Sequence, residues 1–145
     1  MNKEIDLKSG FKINNIILMN SSFKRESSVE FDTSKIDANV DFNLDVQVNK
    51  NSIFVPLTIS YQQMNKDKGD VEVDISISML GVFEKIGEST ISNLEEFGRV
   101  NGAAIIFPYI REHITNVCSK AGIGNVVLPP MNFTKYPKNQ NKKEA

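Results

Sequence analysis

The sequence predicts an α+β domain, in which a four-stranded antiparallel sheet comes first and packs on one long helix. Three observations lead there. Residues 40–48 and 53–61 each alternate apolar and polar side chains, the two-residue period of half-buried strands. A further alternating run covers residues 71–79. From about Ile105 to Lys120 the apolar spacing becomes helical. Strands followed by a helix is the order of a sheet covered on one face.

Taken in order, residues 11–23 (FKINNIILMNSSF) are apolar and β-branched in patches without helical spacing. They read as a strand, with Asn14 and Asn15 placing a bulge that changes which face the side chains use. Residues 39–48 (NVDFNLDVQV) put Val40, Phe42, Leu44, Val46 and Val48 on one face. The segment NKNS at 49–52 is a turn, and Ile53, Val55, Leu57, Ile59 and Tyr61 resume the alternation, which predicts a hairpin. Pro56 lies on the opposite face, and its missing N–H suits an edge or an irregular stretch. Residues 62–70 (QQMNKDKGD) are polar and turn-forming. Val71, Val73, Ile75, Ile77 and Met79 make the fourth strand, ending near Gly81 to Phe83. Residues 87–101 read as a polar crossover with one short helical turn. In the helix, Ile106, Tyr109, Ile110, Ile114, Val117 and Cys118 form one stripe, and Gly122 ends it. The tail TKYPKNQNKKEA is polar, basic and interrupted by Pro137. The expected organisation is a flexible N-terminus at 1–10, one domain at 11–133 and a disordered basic tail at 134–145.

At 145 residues the chain can bury roughly two-thirds of the surface its unfolded form exposes. Its 17 basic and 18 acidic residues leave no surplus to neutralise phosphates, so no nucleic-acid partner is expected. The single cysteine, Cys118, allows no internal disulfide framework and suits a reducing compartment. The start, MNKEIDLKSGF, lacks a signal peptide's apolar core. The longest nearly apolar run, 102–107, is far short of a membrane span. A cytoplasmic protein without direct membrane insertion is the expectation. Catalysis finds no support: His113 is the only histidine, and Cys118 diverges from it by about 140° around a helix. One His and one Cys do not make a four-ligand zinc site. No phosphate loop is present, and the GIG at 122–124 follows a helix instead of preceding one. No catalytic residue, metal or cofactor is expected.

The most informative strings are Asn101, IIFPYIREHI at 105–114 and GIGNVVLPPMNF at 122–133. They resemble the SecB family of export chaperones, whose main helix opens with a Leu-Phe-Pro-Tyr-x-Arg-Glu run and whose chain returns through Leu-x-x-Pro-x-Asn-Phe. The matching residues are Phe107, Pro108, Tyr109, Arg111, Glu112, Leu128, Pro130, Asn132 and Phe133. Ile13, Ile16, Ser22, Phe23, Gly81 and Phe83 add to them upstream, so the resemblance covers roughly residues 11–133. Each piece also has a local reading. Pro108 near a helix start forfeits no hydrogen bond. Phe107 and Tyr109 suit core or interface, and the adjacent Arg111 and Glu112 do not face each other on a helix.

The resemblance implies a homo-oligomer, a dimer or a dimer of dimers. It would bind non-native polypeptides in long apolar grooves without hydrolysing ATP and hand them to the export motor ATPase. Val40, Phe42 and Leu44 align with groove-lining positions of the family, and Met131 and Phe133 in the return segment are natural additions, methionine being adaptable. Alternating hydrophobes on a strand are more often plain sheet core, so that reading stays open beside the groove. Oligomer contacts are expected from Ile16, Leu18 and Phe23 on the first strand edge and from Tyr109 and Ile110 on the helix; a large exposed apolar patch is otherwise an aggregation liability.

Three departures from the family matter. The acidic docking positions for the motor fall here on Asn20, Lys24 and Ser76. Only Glu72 and Asp74 remain acidic nearby, which weakens the field that would steer a basic partner. After Asn132-Phe133 come Thr134, Lys135, Tyr136 and Pro137, so the C-terminal second helix is reduced or missing. The tail carries Lys135, Lys138, Lys142 and Lys143. Because SecB-like proteins also serve as dedicated chaperones of antitoxins, the sequence leaves three functions open. They are a holdase that keeps preproteins export-competent, a chaperone of a single client, and a non-chaperone adaptor or small-ligand domain.

Overall fold

The alternating runs pair into one antiparallel sheet in the computed structural model, which describes residues 6–7, 10–87, 93–124, 126–135 and 143–144. The strands are β1 (Asp6–Leu7), β2 (Phe11–Arg25), β3 (Ile36–Leu44), β4 (Gln47–Asn49), β5 (Ser52–Asn65), β6 (Val71–Lys85) and β7 (Lys143–Glu144). Their order is β1-β2-β6-β5-β3-β7, with β4 also on β5. The four long strands are the four expected. The short ones are additions at the margins, so the sheet edges are β2 beyond β1 on one side and β3 beyond β7 on the other.

Residues 39–48 do not form one strand, because Asp45 and Val46 leave the ladder. The register is continuous across the gap, with Leu44 opposite Leu57 and Gln47 opposite Phe54, which sets Asp45 across from Pro56. Proline has no N–H to donate, so the ladder lapses there. Pro56 itself is in a central strand and not at an edge. β2 carries two irregularities, one between Ile13 and Asn15 as expected and a second between Leu18 and Asn20. The polar residues 62–65, expected in a turn, continue β5. The turn starts only at Asn65, whose side-chain oxygen accepts from the amides of Asp67 (3.0 Å) and Lys68 (3.2 Å).

The helix begins earlier than Ile105. Asn93 caps it by accepting from the Glu96 amide at 3.0 Å. From there α1 (Leu94–Glu96) runs through π-helical Phe97–Gly102 into α2 (Ala103–Lys120). Gly98 and Gly102 let the wide turns press onto β5, where the side chains of Ile53 and Val55 leave no room for a Cβ at Gly98. Phe97 stacks on Phe11 (ring centroids 3.8 Å, 7°) and meets Phe83 edge-on (5.7 Å, 77°), closing that end of the core. The buried stripe of α2 is Ala103, Ile106, Phe107, Ile110, Ile114 and Cys118, packed on the inner face of β5 and β6. Tyr109, expected on this stripe, is 52% exposed, since it lies about 100° from Ile110 around the helix. Pro108 is inside the helix and not at its start. Both it and Ala104, whose carbonyl loses its i+4 donor, are on the exposed face, where water can serve.

The helix ends in a Schellman motif. Gly122 takes φ +71°, its amide donates to the Ser119 carbonyl, and the Ile123 amide donates to Cys118. Of the tail, Phe133–Lys135 is a 3-10 turn and Lys143–Glu144 pairs with Val40 and Asp41; the rest lies outside the described residues. No described helix is long and apolar enough to cross a membrane.

Candidate functional site

The sheet face under α2 is not covered along its whole length. Beside the helix, a cleft of about 570 Å³ opens between β3, the end of β5, the 26–35 linker and the return segment. Its floor is the inner row of β3 (Ile36, Ala38, Val40) with Tyr61 and Gln63 of β5. Phe31 of the linker and Val127 of the return segment, each 61% exposed, also line the cleft. Most of this lining is apolar, which suits an apolar guest held by few polar contacts.

Each wall has an identifiable anchor. The linker is held by Glu72, a buried carboxylate that accepts from the Glu30 amide at 2.9 Å and the Asn65 side chain at 3.2 Å. Arg25 ties the same linker to the end of α2: its guanidinium donates to the Ala121 carbonyl at 2.6 Å and to the carbonyls of Glu26 (2.8 Å) and Ser27 (3.1 Å). A cation at a helix C-terminus also complements the helix dipole. Asp32 starts the short Thr33–Lys35 turn, and hydrogen bonds from the Ser34 hydroxyl and amide hold its carboxyl below the usual range. On the floor, the Tyr61 hydroxyl donates to Gln63 Oε1 at 2.7 Å. Burial, with Cys118 nearby, pushes that phenol up to about 12. Cys118 is itself a buried free thiol whose pKa burial raises, which is the opposite of what an activated nucleophile needs. His113 bonds Ser21 of β2 at 2.9 Å, so it points away from Cys118 as its spacing indicated.

The return segment has little backbone support. Between Ile123 and Met131 it is seated by the buried side chains of Ile123 and Leu128 and by the Thr115 hydroxyl, which donates to the Val126 carbonyl at 2.8 Å. Beyond it, Phe133 meets Phe42 edge-on at 5.6 Å and Phe107 at 6.1 Å. Arg111 lies over Phe107 at 5.8 Å from the ring.

The expected groove residues therefore separate. Val40 lines the open cleft. Phe42, Leu44 and Phe133 are buried in the chain's own core, and Met131 is half-buried against it. Of the expected oligomer residues, Leu18 (45%) and Tyr109 are exposed, Ile16 and Phe23 are half-buried, and Ile110 is fully buried against the sheet. Ile17 and Met19 extend the exposed apolar edge of β2. Glu72 supplies no surface charge, because it is buried in the linker clamp. Of the two carboxylates near the docking positions, only Asp74 is exposed, opposite Lys24. Sequence reasoning missed Phe31 and Val127; Phe31 was visible as a lone aromatic in the polar stretch ESSVEFDTSK.

The comparisons agree with this architecture. The family model for preprotein translocase subunit SecB matches residues 5–144. An uncharacterized protein of Methanocaldococcus jannaschii is 32% identical over 127 residues, spanning 86% of this chain and 81% of that protein. A SecB-like chaperone of Mycobacterium tuberculosis, solved in complex with a ChAD peptide from the HigA1 antitoxin, shares the fold. It superposes with a TM-score of 0.72 at 14% identity, over 86% of this chain and 93% of that one.

Proposed function

This chain belongs to the SecB family, and from that premise we propose that it is an ATP-independent holdase that receives non-native polypeptides in the cleft beside α2. The observation that carries the reading is the cleft itself. It is open and largely apolar, lined by the exposed Phe31 and Val127 and by Val40 of β3. Phe42, two positions along β3 from Val40, continues the same face into the aromatic cluster with Phe107 and Phe133, and Leu44 and Met131 pack in the same core. Subunits assemble through the β2 edge, with Ile16, Leu18 and Phe23, and through the exposed Tyr109 of the helix.

A second reading, a chaperone dedicated to one client such as an antitoxin, draws on the outer sheet face. Asn20, Lys24 and Ser76 stand at the docking positions and Glu72 is withdrawn into the interior, so little negative field is left to steer a basic motor ATPase. The M. tuberculosis chaperone of the same fold binds an antitoxin peptide. Delivery to the export motor is therefore the less supported half of the family's role.

The test is light scattering of a chemically unfolded protein diluted into buffer without ATP. Near-stoichiometric parent protein is expected to suppress aggregation, and the variants Phe31→Asp and Val127→Asp to lose most of that effect while keeping the parent's circular dichroism. Full suppression by both variants would move the binding surface elsewhere. No suppression by the parent would leave the single-client chaperone and the non-chaperone adaptor.

A further inference from the structure

The outer face of the sheet, opposite α2, is ordered into rows. Residues directly opposite one another on β2, β6 and β5 project from the same face. One row runs Ile17, Leu80, Pro56, and the next sets Val82 opposite Phe54. All five are apolar and none is fully buried, Ile17 being 37% exposed. On the other side of the first row come two uncharged ones, Asn20, Ser78, Thr58 and then Ser22, Ser76, Ser60. The Thr58 and Ser78 hydroxyls bond at 2.7 Å.

The charges of this face stand at its ends and are matched within the chain. Lys12 lies 3.8 Å from Glu84 at one end. At the other, Lys24 is opposite Asp74, which also accepts from the Gln62 side chain at 3.3 Å. Asp41 of β3 is opposite Lys143. The face therefore offers little field to a charged partner, and it leaves an apolar band in contact with water.

Such a face is complementary to itself. A two-fold axis parallel to the strands, midway between β5 and β6, stacks each row on the same row of a second copy. Leu80 of one copy then lies over Pro56 of the other, Val82 over Phe54 and Ser78 over Thr58. Asp74 lies over Gln62, and no charge meets its like. An axis across the strands would instead set Lys12 over Lys24 and Glu84 over Asp74. Four strands about 4.8 Å apart and six rows about 6.8 Å apart give roughly 650 Å² per copy, or about 1,300 Å² for the pair, above the roughly 1,000 Å² a specific interface needs.

We propose that the outer sheet face is a self-association surface, on which two copies stack sheet on sheet with the Ile17–Leu80–Pro56 and Val82–Phe54 rows at the contact. Stacked sheets hold their strands within about 30° of each other, which keeps row on row. The contact is separate from the cleft and from the β2 edge, where pairing would extend the sheet in its own plane. It covers the face that carries Asn20, Lys24 and Ser76, so a stacked copy and a docked partner exclude each other there.

The test is sedimentation velocity on the full-length protein at micromolar concentration. Phe54→Glu and Val82→Lys each set a charge against an apolar row in the stacked pair. Each alone is expected to sediment with a twofold loss of mass while keeping the parent's circular dichroism. Mixed in equal amounts, the two are expected to recover the parent's mass, because the carboxylate introduced at position 54 of one copy meets the ammonium introduced at position 82 of the other. Should either variant fail to fold, Thr58→Glu and Ser78→Lys repeat the test in a hydroxyl row. Equal masses for the parent and every folded variant overturn the stacked pair and leave the face to a different partner. Halved masses that mixing does not restore overturn the row-on-row arrangement.

Discussion

Arg25 offers the sharpest test of how the cleft is held together. Its guanidinium joins the linker carrying Phe31 to the C-cap of α2, through the 2.6 Å bond to the Ala121 carbonyl. A charge-assisted, half-buried bond of this kind contributes about 1–2 kcal/mol, and the dipole at the helix C-terminus adds about 0.5 kcal/mol. The bonds to Glu26 and Ser27 are local and add little. Arg25→Met is therefore expected to cost about 1.5–2.5 kcal/mol. With a urea slope of about 2 kcal/mol per molar for a chain this size, the midpoint falls by about 0.8–1.2 M at fixed protein concentration. Arg25→Lys restores the charge but cannot span three carbonyls, so it should recover about half. Hydrogen exchange supplies the second readout: the Glu30 amide, bonded to Glu72, should lose protection in Arg25→Met ahead of the strand core. An unchanged midpoint with unchanged exchange across 26–33 would show that Arg25 does not clamp the linker.

Two further expectations follow from the packing and the ionisation. In Gly98→Ala the new methyl would lie 2.7 Å from Val46 Cγ1 and 2.9 Å from Ile53 Cγ2, so a net loss of about 1–2 kcal/mol is expected in thermal or urea denaturation after the gain in helix propensity; a neutral or stabilising result would mean the wide turn can retreat from β5. Tyr61 holds its proton more tightly folded, at about 12, than the ordinary value of 10.0. Its contribution is therefore complete below about pH 10 and is lost as pH rises toward 12. Tyr61→Phe should lose about 1 kcal/mol at neutral pH by orphaning Gln63 Oε1, and should show a flatter decline than the parent between pH 10 and 12.

Much of the sheet was legible because strict alternation of apolar and polar residues suits a half-buried strand and neither a helix nor a loop. The hairpin of β3 and β5, with Leu57 and Ile59 inward, follows from the pattern alone. The helix start was hidden. Its first turns, NLEEFGRVN, are polar outside Leu94, Phe97 and Val100, and the π-helical stretch breaks the periodicity that would have revealed Phe97 as core. The Asn93-to-Glu96 spacing was the available signal, as a capping residue followed by an acid three positions on. Gln63 and Asn65 looked like turn residues because polarity was taken for exposure, yet each is buried with a partner, Tyr61 in one case and Glu72 in the other. The cleft was the least legible part. Phe31 is placed by Arg25 reaching Ala121 and by Glu72 reaching Glu30, contacts between residues far apart in the chain that leave no local pattern.

The two irregularities in β2 behave as compensating frameshifts. Before the first, odd-numbered residues such as Ile13 face the helix; between them the even ones do, Ile16 and Leu18; after the second the odd ones return, with Phe23 opposite Ile75. Parity is inverted for one short stretch and then restored. Each bulge is one extra residue of β2, Asn14 in the first and Met19 in the second, so deleting either one would make the ladder regular and keep Phe23 opposite Ile75. A deletion between the bulges that left both in place would instead turn Phe23 to solvent. Inside the inverted window, Ile16, Ile17, Leu18 and Met19 present apolar side chains to both faces at once, so this edge carries two distinct apolar surfaces within four residues of one strand.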